Sequence, residues 1–166
     1  MPIDLPPPPP AIVITEDGGG TVTKYEAMVD RYSAENREVR IMGSCRSACI
    51  LYLGASNVCV GPNAVIKAHE AYEPISDRNR PDITAEMMNR IPVRVAARLE
   101  PYITEQYNKM TTLSYSQLVD LGVRPCGLDK TVEAKDKPRQ ATKQTIGKPK
   151  PGDPVTKFLF NILGVH

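Results

Sequence analysis

Apolar residues along this chain fall into short β-branched clusters separated by stretches with helical spacing. Residues 11–15 read as a strand that ends in Glu16-Asp17-Gly18-Gly19-Gly20. From Val22 the apolar positions Val22, Tyr25, Met28, Val29 and Tyr32 recur at the intervals of a helix. Residues 39–42 form a second strand that runs into the turn Gly43-Ser44-Cys45-Arg46-Ser47, and residues 48–55, apolar without alternation, read as a buried helix. Two more short strands, 58–60 and 65–69, flank Gly61-Pro62-Asn63. That connection is too short for a parallel crossover, so a hairpin or a sharp bend is expected.

A helical stretch starts near Ile83 and is interrupted at Pro92 and Pro101, where a missing amide hydrogen ends or kinks a helix. Ser114 followed by Gln117 predicts a capping box, and Gly122 suits the end of that last helix. Val123 then opens a final short strand. Strand and helix in alternation predict an α/β domain on a mostly parallel sheet, with active groups at the carboxyl ends of its strands. The domain spans 11–129. Before it, residues 1–10 contain the five prolines Pro6 to Pro10, an extended spacer or leader. After it, residues 130–153 are a polar linker too poor in large apolar side chains to build a core. Residues 155–165 turn apolar again, as a tail that docks on the domain or on a neighbouring subunit.

Composition narrows the partners. With 21 Lys and Arg against 19 Asp and Glu in 166 residues, the net charge of +2 gives no field that calls for nucleic acid or an anionic membrane. No apolar run reaches the ~20 residues of a membrane span. Residues 1–10 lack the order of a secretion signal. Export with a signal already removed, to a periplasmic or secreted location, stands beside a cytoplasmic one. Cys45, Cys49, Cys59 and Cys126 are either buried small residues or disulfide partners, and a bridge is expected if the precursor was exported. Two histidines, one of them the terminal His166, are too few for a zinc site, so no metal or other cofactor is expected.

Three features could meet to activate a serine. Ser47 lies where a strand hands over to a helix, so the Ala48 amide is a natural oxyanion donor. The turn Gly18-Gly19-Gly20 follows the first strand, and Gly20, or else Gly19, would supply a second donor. His69 is the internal histidine and the side chain suited to proton exchange near neutral pH, with Lys67 as the alternative base on the same strand face. Each feature alone has a plainer explanation. Serine is a common helix cap, a glycine run is commonly a turn, and a lone histidine is commonly a hydrogen-bonded structural residue. Their fall at corresponding ends of successive strands is what points to a site.

The order of these motifs resembles the proteolytic subunit of the Clp protease and its crotonase-like superfamily, from about Ile12 to Val123. The family's glycine pair after a strand is matched by Asp17-Gly18-Gly19-Gly20, and its serine turn by Gly43-Ser44-Cys45-Arg46-Ser47-Ala48-Cys49. The proline turn before the strand bearing its histidine is matched by Gly61-Pro62-Asn63-Ala64, leading to His69. Its closing helix and strand look like residues 113–123. The nearest in character are small, often exported bacterial proteins with a Ser-Ala-Cys motif. The resemblance implies repeated β-β-α units around a mostly parallel sheet, a homo-oligomer, and serine hydrolysis of a peptide or protein substrate. Ser47 and His69 would be catalytic, and Gly19, Gly20 and Ala48 would form the oxyanion hole. The family's orienting aspartate has no counterpart in Thr104-Glu105-Gln106-Tyr107-Asn108-Lys109, so Glu105 or Asn108 fills that role, or the site is a dyad. A non-catalytic binding or assembly module and a crotonase-type acyl-thioester enzyme are the alternatives.

Overall fold

The computed structural model describes residues 5–103 and 109–127. Contacts within the chain bound a compact unit at Leu128. The linker and tail expected after residue 129, and the candidates Glu105 and Asn108, lie outside the described residues.

The described residues form a mixed α/β unit on a mostly parallel sheet. Its strands are β1 (Ile12–Asp17), β2 (Val39–Arg46), β3 (Val58–Val60), β4 (Val65–Ala68) and β7 (Thr111–Ser114), and the path across it runs β1-β2-β4-β7. β1, β3 and β4 are each parallel to β2, and β7 is antiparallel to β4. β3 pairs with Val39 to Ile41 and β4 with Ser44 to Arg46, so the two lie end to end along one edge of β2. Gly61-Pro62-Asn63 is the bend between them, closed by the Ala64 amide donating to the Gly61 carbonyl at 2.9 Å.

Two details of β2 depart from the sequence reading. Gly43 does not start a turn, because β2 continues through it to Arg46. A β-carbon on Gly43 would lie 2.0 Å from the Thr15 carbonyl oxygen, so the glycine admits the neighbouring backbone. There β2 places two residues, Met42 and Gly43, between register pairs where β1 places one, Thr15. This bulge pairs Asp17 with Cys45, which turns Asp17 to the core side of the sheet.

The core lies on one face. Ile41, Ile66 and Leu113 project from the sheet, and Ile50, Leu51 and Leu53 meet them from a 3₁₀ helix, Ser47–Gly54. That segment is almost wholly buried, packed between the sheet and the helices α1 (Val22–Ala34) and α2 (Pro81–Arg90). α3 (Val93–Leu99) adds Val95 and Leu99, and α4 (Tyr115–Asp120) adds Leu118. Pro81 sits in the first turn of α2, which therefore starts before Ile83. Pro92 caps α3, and Pro101 falls in a 3₁₀ turn. Between β4 and α2 lies a small hairpin, β5 (Tyr72–Glu73) with β6 (Arg78–Asn79), unmarked in the sequence reading. The Ser114 and Gln117 capping box closes in both directions. Past Gly122, the expected strand is a single parallel bridge between Val60 and Pro125.

Two disulfides join Cys45 to Cys49 and Cys59 to Cys126. The second ties the C-terminal end of the unit to β3, beside a polar cluster in which Glu38 accepts from Arg40 at 2.7 Å and from Arg124 at 3.2 Å. These two guanidiniums, Arg40 foremost, hold the Glu38 carboxyl below its ordinary range. A lowered folded pKa contributes stability that is present above the unfolded value and lost as pH falls through the folded one. Below about pH 4 the chain is therefore expected to lose stability, and Glu38→Gln to flatten that acid limb in thermal melts at stepped pH.

Candidate active site

The three parallel strands β1, β2 and β4 end on one edge of the sheet, and each is followed at once by a candidate group. Gly18-Gly19-Gly20 follows β1, Ser47 follows β2, and His69 follows β4. Arg46 is the register partner of Lys67, so one more step sets Ser47 opposite Ala68, with His69 next. Neighbouring strands lie about 4.8 Å apart, which brings serine and imidazole to adjacent strand ends. Among the described residues no hydrogen bond joins their side chains.

Ser47 has φ +54°, a left-handed conformation uncommon for a residue with a side chain. Such a residue costs on the order of 1–3 kcal/mol and persists only where its surroundings over-determine it. Here two restraints do so. The Cys45–Cys49 bond closes a ring with Ser47 at its centre, and both cysteines are fully buried. Gly19 presses on the other side: a β-carbon there would lie 2.6 Å from the Arg46 carbonyl oxygen, 2.7 Å from Ser47 Cβ and 3.0 Å from the Ala48 nitrogen. Gly19 itself has φ +84°. The hydroxyl is thus set at a sharp junction between strand and 3₁₀ helix.

Asp17 anchors the glycine turn. Its Oδ1 accepts from the Gly19 amide at 2.8 Å and from the Tyr25 hydroxyl at 2.6 Å. Burial, then the Asp17 carboxylate, pushes the Tyr25 phenol well above its ordinary range, so it stays a neutral donor. Tyr52 packs edge-on against Tyr25, ring centroids 5.4 Å apart, and burial pushes its own phenol up to about 12. Because the Gly19 amide already serves Asp17, Gly20 and Ala48 are left as the candidate oxyanion donors. Ala48 is in the first turn of the 3₁₀ helix, where amides lack acceptors within the helix.

His69 Nδ1 lies 2.6 Å from the Glu70 carbonyl oxygen. A carbonyl can only accept, so Nδ1 carries the proton and the Nε2 lone pair is the free basic position. The side chain of Glu70 is buried, and among the described residues its Oε2 has no hydrogen-bond partner. Sequence reasoning did not single out Glu70, because an interior glutamate leaves no periodic signal. It also missed Asp17 as an anchor, since a short polar residue before glycines reads as turn chemistry.

The two disulfides separate placement from stability. Chain-entropy arithmetic gives about 2 kcal/mol for a loop as short as Cys45–Cys49 and about 4 kcal/mol for one as long as Cys59–Cys126. Cys59→Ala/Cys126→Ala is therefore expected to lower the melting temperature more. Cys45→Ala/Cys49→Ala is expected to lower Ser47 reactivity more, by about tenfold, as loss of a fixed attack geometry implies. Melting curves and serine-probe labelling rates on both variants check this crossing.

No family model matches this chain, and no curated protein matches it. Among solved structures it is similar to one described as "Crystal structure of an Enzyme", 15% identical over 66% of this chain and 67% of that chain, with a TM-score of 0.38. That likeness is too slight to bear on activity. Among the described residues, no helix is long and apolar enough to cross a membrane.

Proposed function

We propose that this chain is a serine hydrolase of peptide bonds, on a fold related to the Clp proteolytic subunit and the crotonase-like superfamily. The observation that carries the reading is the strained Ser47, held by a disulfide and by Gly19 at the strand end next to a histidine with a free Nε2. A left-handed serine turns the chain sharply from β2 into the 3₁₀ helix, and in this reading the same turn presents its oxygen at the strand end.

His69 Nε2 takes the Ser47 proton as Oγ attacks the substrate carbonyl carbon. The amides of Gly20 and Ala48 donate to the resulting oxyanion. As the intermediate collapses, the imidazolium returns its proton to the leaving amine and an acyl-serine remains. Water, deprotonated by the same imidazole, then releases the acid and restores the serine. The Glu70 carbonyl does the orienting work that a carboxylate does in a triad, so the site runs as a dyad. Two disulfides fit an oxidising compartment outside the cytosol.

The test is labelling with a fluorophosphonate, followed by identification of the modified residue. Ser47 is the expected site. His69→Ala is expected to slow labelling about a hundredfold, the low end of general-base contributions. A rate equal to wild type would move the base to Lys67. The missing hydrogen bond between Ser47 and His69 favours a second reading, a binding or assembly module that keeps the fold without turnover. Absence of any labelled serine would select it.

A further inference from the structure

We infer that the candidate active edge carries an anion subsite, formed by Arg46 and Lys67, that selects substrates bearing a carboxylate beside the reacting carbonyl. The inference deepens the hydrolase reading and rests on it.

Arg46 and Lys67 are register partners on neighbouring parallel strands, and both are half-buried. Their neighbours Cys45 and Ile66 face the core, so the two cations share the opposite face. Like charges placed directly across a sheet repel. Here, among the described residues, neither cation forms an ion pair or a hydrogen bond. Asp17 pairs with Cys45 on the core face, and the nearest acid by register on the cations' own face is Glu16, paired with Ser44 one step back. On the far side of Lys67, its register partner on β7 is Thr112, an exposed hydroxyl. A guanidinium, an ammonium and a hydroxyl thus run in a row across β2, β4 and β7.

That row abuts the reacting groups. Arg46 precedes Ser47, and its Nη2 comes within 3.6 Å of where a β-carbon on Gly18 would lie, so the guanidinium leans over the glycine turn. Lys67 is two residues before His69 and on its strand face. A planar guanidinium with an ammonium beside it suits a carboxylate. The carboxylate can be a glutamate or aspartate side chain next to the scissile bond, or the free C-terminus of a peptide.

Binding tests this without turnover. Alanine hexapeptides, acetylated and amidated, each with one Glu or one Gln, and their free-acid forms, are titrated calorimetrically into the Ser47→Ala chain at low salt. The expected result is about tenfold tighter binding of Glu over Gln at one position, the effect of one charge-assisted contact, shrinking as salt rises. Arg46→Gln/Lys67→Gln is expected to erase the difference, with circular dichroism checking its fold. If only the free-acid forms gain, the bound group is the C-terminus. Equal binding of all forms, or a preference that survives the double variant, overturns the subsite. Wild-type Ser47 that resists the fluorophosphonate would instead count against the hydrolase reading, while the titration still reports on the two cations.

Discussion

Ser47→Ala is expected to abolish covalent labelling by a fluorophosphonate while the chain stays folded. Alanine has no oxygen to attack phosphorus, so the loss should be complete rather than partial. The fold should survive because the restraints on residue 47 do not involve its hydroxyl. The ring closed by Cys45 and Cys49 remains, the Gly19 contact is with Cβ, which alanine keeps, and the positive φ is no worse for alanine than for serine. Mass spectrometry of intact labelled chain reads the first outcome and circular dichroism the second. A variant that still takes up one equivalent of probe would deprive the proposed mechanism of its attacking atom.

Gly19→Ala comes next in size. Its added carbon would meet the Arg46 carbonyl oxygen and Ser47 Cβ, at 2.6 and 2.7 Å, and its φ of +84° disfavours any side chain. Something must shift, and the neighbours able to shift are Ser47 and the Ala48 amide. A displaced donor costs on the order of 3 kcal/mol of transition-state stabilisation, and a nucleophile moved by about 1 Å costs up to a hundredfold. The labelling rate should therefore fall by about a thousandfold. Gly20→Ala is a milder comparison, because its added carbon meets only the edge of the Tyr25 ring at 3.6 Å. Equal rates for the two variants would separate the glycine turn from the chemistry.

Much of the layout is legible in the residues, and the remainder has identifiable physical reasons for being hidden. The helix α1 and the capping box at Ser114 follow from local periodicity and side-chain hydrogen bonding, which act over a few residues. The parallel course of β1, β2 and β4 follows from alternation of strand and helix. Gly43 misleads because a glycine in a strand can mark either a turn or a bulge, and only the approach of Thr15 from another strand decides between them. β7 was hidden for a related reason. Its Thr111 to Ser114 becomes a strand by pairing with β4, distant in sequence. At the candidate site the residue types were readable and their conformations were not. Nothing in Arg46-Ser47-Ala48 announces a left-handed serine, and nothing in His69-Glu70 announces that a main-chain carbonyl serves the imidazole.

The cysteine spacing also bears on biogenesis. Four thiols can combine in three ways. Two of them, four positions apart, meet readily in an unfolded chain, whereas partners 67 positions apart must wait for long-range order. Once the near pair has oxidised, Cys59 and Cys126 have no wrong thiol left to choose. The small ring around Ser47 is thus expected to close first, leaving the longer bridge to form as the sheet assembles.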